Sequence, residues 1–220
     1  MMRNRLLGTV LACGVLGSGV ALIISASKGT DGYTTLVVGL ARCTGASFAV
    51  VNVVAGATLL TAAWARHRLG RDDAPSPIGA GSLIQPVVVS VVVASTTPAL
   101  SALSLSWWGS LVGLLLMSLG IAGYLAARLG AGPMVAAALA GEPVLPFRIT
   151  LSLIQVAGAL IGWRCGAPIG GGTILITILI GPTAAGFLRV FRTRSQMRTA
   201  DSSTATVVAM VRTLTTDRAV

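Results

Sequence analysis

The chain has 220 residues, 54% of them hydrophobic and 10% charged, with a mean hydropathy of +0.87. A water-soluble domain carries roughly 25% charged residues, so that class is excluded and a polytopic α-helical membrane protein is indicated. The net charge of +10 does not point to nucleic acid, because the arginines fall between and after apolar runs and no basic folded module exists to carry such binding.

Met1–Arg5 is a short basic start, and the apolar run Leu6–Ala26 follows it. Ser25-Ala26-Ser27 is small enough for signal-peptide cleavage, and Val10-Leu11-Ala12-Cys13 has some lipoprotein character. A retained membrane helix is nevertheless expected, because this run has a spanning counterpart later in the chain. Lys28–Tyr33 is a glycine-containing break, followed by a segment too short to span, Thr34–Ala41. A second long run covers Phe48–Trp64. A polar loop with Arg66-His67-Arg68 and Arg71-Asp72-Asp73 then leads into a third run, Ala80 to about Leu100, whose length says helix despite its valines.

Trp107-Trp108 opens the fourth run at an interface, where indole rings prefer to sit. That run reaches Ala127-Arg128. A break at Leu129–Pro133 follows, then a short segment, Met134–Ala140, and a turn from Glu142 to Arg148. The fifth run is Ile149–Trp163 and the sixth is Gly170–Val190. From Arg192 onward the chain is rich in Arg, Ser and Thr and reads as a flexible basic cytoplasmic tail suited to anionic headgroups.

Two stretches repeat a pattern. Pro77-Ile78-Gly79-Ala80-Gly81-Ser82-Leu83 and Pro168-Ile169-Gly170-Gly171-Gly172-Thr173-Ile174 both open long apolar runs. Self-similarity of this kind signals duplication. Leu16-Gly17 aligns with Leu119-Gly120, Gly29–Gly32 with Gly130–Pro133, and Trp64 with Trp163. The expected fold is an all-α membrane protein with six transmembrane helices, arranged as two inverted three-helix repeats with short broken segments. The expected divisions are 1–76 (helices one and two), 77–100 (the third helix), 101–191 (the second repeat) and 192–220 (the tail). Three spans per half put the second half into the membrane from the opposite side. With six spans, 13 of the 16 lysines and arginines fall on one side and Lys28, Arg42 and Arg164 on the other. Both termini are therefore expected to be cytoplasmic, in a bacterial inner membrane.

Candidate site residues follow from what is costly in a bilayer. Non-helical backbone at membrane depth survives where it lines a cavity or is buried in protein, which marks Gly29, Gly32, Gly79, Gly81, Gly130, Gly132, Pro133, Gly170 and Gly172 as broken-helix backbone. The competing reading of these glycines is close helix packing or surface loops. Asp31 and Glu142 are the acids nearest the membrane region, with Lys28 placed to neutralise Asp31. Asn52 and Gln155 lie inside apolar runs, where interhelical hydrogen bonding competes with substrate contact. Tyr33 is an interface anchor or a ligand. Cys13, Cys43 and Cys165 are odd in number and widely spaced, with no CxxC, and there is one histidine, His67. No zinc or haem site and no cofactor are expected, and the thiols read as buried or lipid-facing. No nucleophile–base pair, carboxylate pair or metal cluster is visible, so an enzyme is not expected.

Gly170-x-Gly172-Thr173 to Gly181-Pro182, together with Gly130-Ala131-Gly132-Pro133, resembles the bacterial YczE/YitT-like integral membrane proteins over about Leu11–Phe191. Where that family often has Pro-Trp-Asp, this chain has Gly32-Tyr33-Thr34. Where it often has Arg-Asp after the mid-chain proline, this chain has Met134-Val135. The resemblance implies an inner-membrane protein of undefined biochemical activity and suggests a transporter. The expectation is a protein that moves or binds an unknown small solute by alternating access in the lipid bilayer. The alternative is an accessory or regulatory protein that assembles with a partner, and a homodimer or a membrane-protein partner fits either.

Overall fold

The computed structural model describes residues 2–69, 78–103, 105–141 and 144–191, with the side chain of Arg148 left out. Glu142, Pro77, the greater part of the loop after Leu69 and the tail from 192 lie outside the described residues. Among those described, the chain is all-helical: α1 Met2–Ala26, α2 Gly32–Thr44, α3 Phe48–Leu69, α4 Ala80–Ser101, α5 Trp107–Ala127, α6 Pro133–Ala140, α7 Phe147–Arg164 and α8 Gly171–Phe191.

Five of these, α1, α3, α4, α5 and α8, are long and apolar enough to cross a membrane. The fifth run of the sequence becomes α7, whose apolar part, Ile149–Arg164, is shorter than that. Basic residues at both ends, Arg148 and Arg164, bound the run and keep it short. The short segments α2 and α6 are helices that begin where the glycine breaks end.

Both breaks use the same stop. α1 ends at Ser27 (φ 54°), and Gly29 (φ 103°) turns the chain away; α5 ends at Arg128 (φ 56°), and Gly130 (φ 119°) does the same. Left-handed backbone at these two glycines is strained for any L side chain. The new helices then start differently. Asp31 caps α2 by accepting from the Thr34 N–H at 3.3 Å. α6 has Gly132 at its N-cap and Pro133 in its first turn, where the missing N–H costs nothing.

Helix packing is governed by small residues. Ala12 lies against Gly120 and Gly123, Gly19 against Gly113 and Met117, and Ala26 against Gly109, so α5 runs antiparallel to α1. A methyl group at Gly19 would sit 2.5 Å from the Met117 nitrogen and 2.7 Å from the Gly113 carbonyl oxygen. Lipid tails are as apolar as leucine, so close backbone approach and dispersion contacts hold such a pair together. Around this crossing Cys13, Leu16, Val20 and Ile23 of α1 pack with Val89 and Val93 of α4, Leu114 and Met117 of α5, and Ile176 of α8. α2 packs on α7 and α3 on α6, with α6 also against α7. The helices therefore form one group of α1, α4, α5 and α8 and a second of α2, α3, α6 and α7, joined mainly where α3 meets α4.

Gly120→Val should break the central crossing, because its Cβ would lie 2.5 Å from the Leu16 nitrogen and backbone atoms cannot move aside. The expected cost is about 3 kcal/mol, the upper end of the usual overpacking range. Gly14→Ala, which meets nothing within 4 Å, should leave stability unchanged or slightly higher. Thermal melts of the detergent-purified protein check both, and equal melts for the two variants would refute the packing account.

Candidate functional site

The site is built around the tip of α2. Gly32, its first residue, touches the backbone of Gln155, which is the ninth of the 18 residues of α7. Further up, Thr35 and Gly39 touch Gly162, and the Arg42 guanidinium donates to the Gly166 carbonyl at 2.8 Å. α2 and α7 therefore run parallel, and the tip of α2 lies halfway along its partner. The connection from Ser27 to Asp31 passes inward from the end of α1 to reach that depth.

Asp31 is 1% exposed. Its Oδ2 accepts from Thr34, while Oδ1 is buried without a hydrogen-bond partner. Lys28, placed by sequence to neutralise it, instead gives its backbone carbonyl to the Gly172 N–H at 2.9 Å, and among the described residues no cation acts on the carboxyl. Burial raises the Asp31 pKa above the usual carboxylate range, against the hydrogen bonds from Thr34 that lower it. The first turn of α2, buried at Gly32, Thr34 and Thr35, supplies a partial positive charge that favours the charged form and offsets part of that burial cost.

A polar network surrounds the tip. The Thr30 and Thr35 hydroxyls are 2.8 Å apart. The Tyr33 N–H donates to Gln155 Oε1 at 3.1 Å, and the Tyr33 hydroxyl donates to Asn52 Oδ1 at 2.9 Å. Asn52 Nδ2 in turn donates to the Pro86 carbonyl at 3.1 Å and lies 2.9 Å from Ser90 Oγ. Four of the five residues proposed from sequence, Asp31, Tyr33, Asn52 and Gln155, thus stand together, and the fifth, Glu142, lies outside the described residues. Thr30, Thr35, Pro86 and Ser90 complete the network and were not singled out from sequence. A proline four residues ahead of a serine inside an apolar run was the available signal, since proline leaves backbone that polar side chains tend to satisfy.

The glycines fall into two clusters. Gly29 packs against Gly170 and Thr173, and Gly172 bonds to Lys28. At the opposite end of the antiparallel α1–α5 pair, Gly130 packs against Gly79 and Ser82, and the Gly81 N–H donates to the Leu129 carbonyl at 2.7 Å. The tip of α6 has no capping acid, and the Tyr124 hydroxyl and Gln85 Oε1 stand beside Gly132. Pro133 meets Gly56 of α3.

A cleft of about 490 Å³ opens between the two helix groups, lined by Ile24, Val38, Arg42, Phe48, Val93 and Thr97 among others. The Thr97 hydroxyl is buried there without a partner. A chamber of about 40 Å³ shares Ile24, Val38 and Arg42 with the cleft and ends at Gly29 and Thr30. The chamber thus adjoins the cleft and is lined on its far side by the residue before Asp31, while Asp31 itself lines neither cavity. The walls of the cleft are mostly apolar, with a few polar groups, which is the usual make-up of a small-molecule pocket.

The Tyr33–Asn52 bond should be measurable. In a double-mutant cycle of Tyr33→Phe and Asn52→Ala, the expected coupling is about 1 kcal/mol, the scale of interhelical hydrogen bonds in membranes. Additive losses of stability would show that the bond contributes nothing.

Residues 3–189 match a family of unknown function, DUF6198. An uncharacterized protein from Haemophilus influenzae is 26% identical over 186 residues, covering 82% of each chain. No solved structure matches the chain. The chain therefore belongs to DUF6198, a family of unknown function.

Proposed function

We propose that this protein moves a small solute across a bacterial cytoplasmic membrane by alternating access, with the tip of α2 as the solute and proton site. The observation that carries the reading is Asp31, a fully buried carboxyl with one oxygen unpartnered at the start of a half-helix. Ionisable groups inside a membrane protein are costly enough to mark transport pathways and proton relays. Discontinuous helices facing a cavity are how many small transporters build their sites.

In this reading α7 is the sixth crossing, and residues 1–100 and 101–191 are inverted halves. The antiparallel course of α1 and α5 supports this, as do the matching breaks after each and the pairings of α2 with α7 and of α3 with α6. The bias of lysine and arginine supports cytoplasmic termini. Gly170-x-Gly172-Thr173 to Gly181-Pro182 supports kinship with YczE/YitT-like proteins. Rocking of the α2, α3, α6, α7 group against the other would open and close the cleft between Arg42 and Thr97. The second reading, an accessory protein without transport, is favoured by the tip of α6, where Gly132 stands in place of a capping acid.

The test is a thermal-melt series on detergent-purified protein across pH, with amino acids, nucleosides, sodium and potassium as probes. A native pKa above the unfolded value means that the folded state holds a proton the unfolded state has released. Stability should then fall as pH rises from the ordinary carboxylate value to the raised native one, and Asp31→Asn should remove that slope. A bound solute at 100 times its Kd should add about 2.7 kcal/mol, and Asp31→Asn should lose that gain. A melt independent of pH and blank across the panel would overturn the transporter reading in favour of the accessory one.

A further inference from the structure

The ends of α2 and α7 carry cysteines that are far apart in sequence. Cys43 is exposed and Cys165, the C-cap of α7, is half-buried. The parallel course of the two helices brings them together. Gly39 and Gly162 are in backbone contact, and Cys43 lies one helical turn beyond the first while Cys165 lies three residues beyond the second. The residues beside the thiols are also joined, through the 2.8 Å bond from Arg42 to the Gly166 carbonyl. These contacts place the two cysteines side by side at the adjoining ends of α2 and α7. The third cysteine, Cys13, is buried in the α1 core and takes no part.

We propose that Cys43 and Cys165 form a disulfide on the extracytoplasmic face, stapling the outer end of α2 to α7. The side of the membrane rests on the orientation proposed above, and that side is where disulfides persist. The oxidant is a disulfide-bearing thiol oxidase of that compartment. The exposed Cys43 attacks one sulfur of its disulfide as the thiolate and releases one oxidant thiol, giving a mixed disulfide. Cys165 then loses its proton and displaces the second oxidant thiol from Cys43. Two cysteine thiols become one disulfide, and the oxidant disulfide becomes two thiols. The bond fixes α2 and α7 as one body, so that Asp31 and Gln155 move together.

The experiment uses the full chain in native membranes. Free thiols are blocked with N-ethylmaleimide in denaturant, the protein is reduced, and released thiols are tagged with a polyethylene-glycol maleimide. Two tags are expected on the wild type and on Cys13→Ser, and none on Cys43→Ser or Cys165→Ser. An untagged wild type would overturn the disulfide. A second arm exposes reduced, intact cells carrying Cys13→Ser to a membrane-impermeant maleimide. Labelling from outside with no native disulfide would sink the pair alone. Failure to label from outside would sink the orientation, and the proposed site of oxidation with it.

Discussion

Backbone that leaves the helix inside an apolar bundle has no water to turn to, and every break in this chain must find its hydrogen bonds in protein. The two main breaks solve the problem in the same way. The carbonyl of Lys28, past the end of α1, accepts from Gly172 at the start of α8. The carbonyl of Leu129, past the end of α5, accepts from Gly81 at the start of α4. Each break is thus satisfied by a helix start from the other half of the chain, and neither half completes its own backbone. Glycine is required because the approach is backbone to backbone: a side chain at Gly29 would collide with Thr173, and one at Gly130 would lie 2.7 Å from the Ser82 hydroxyl. The positions of α2 and α6, and so of the candidate site, depend on these contacts.

Much of this was legible in the sequence for a physical reason. Spanning runs announce themselves by length and hydropathy, and the stops announce themselves by glycine and proline. The repeated Pro-Ile-Gly-x-Gly was visible, as were the short segments that became α2 and α6. Its crosswise pairing was not, because nothing in local composition says that Gly172 meets Lys28. The same limit hid Ser90 and Pro86 as partners of Asn52, and Cys165 as the neighbour of Cys43. Lys28 misled for a related reason. Proximity in sequence suggested an ion pair with Asp31, but the chain turns at Gly29 and uses the Lys28 backbone instead.

The two half-helix tips make a contrast that the fold alone does not require. At α2 the capping residue is a buried acid, and the facing residue on α7 is Gln155. At α6 the capping residue is Gly132, followed by Pro133, and the groups beside it are the Tyr124 hydroxyl and Gln85 Oε1 rather than an acid. A helix start needs only some way to accommodate its free N–H groups, and Gly-Pro does so without burying a charge. Asp31 does more than capping asks: one oxygen serves the cap and the other is left without a partner. A buried polar atom without a partner costs about 1–3 kcal/mol, so a purely structural role would favour asparagine, serine or glycine there.

The nature of the contacts also separates what is rigid from what has room to shift. Within each helix group the seams are backbone on backbone, through Gly19, Gly113 and Gly120 in one and Gly32, Gly39, Gly158 and Gly162 in the other. Such seams leave little slack. Between the groups the glycine breaks before α2 and α6 are also backbone on backbone, but the α3–α4 joint is of another kind. It carries the Asn52 bonds to Pro86 and Ser90, the α4 prolines Pro86 and Pro98, and the open cleft with its unpartnered Thr97 hydroxyl. Hydrogen bonds to hydroxyls and a proline carbonyl can be exchanged for others at small net cost, whereas interlocked glycine seams cannot. Any movement that admits a solute to Asp31 is therefore directed to the joint between α3 and α4. Asn52 sits on that joint and holds the Tyr33 hydroxyl, so the state of the cleft is tied to the tip of α2 by a chain of two hydrogen bonds.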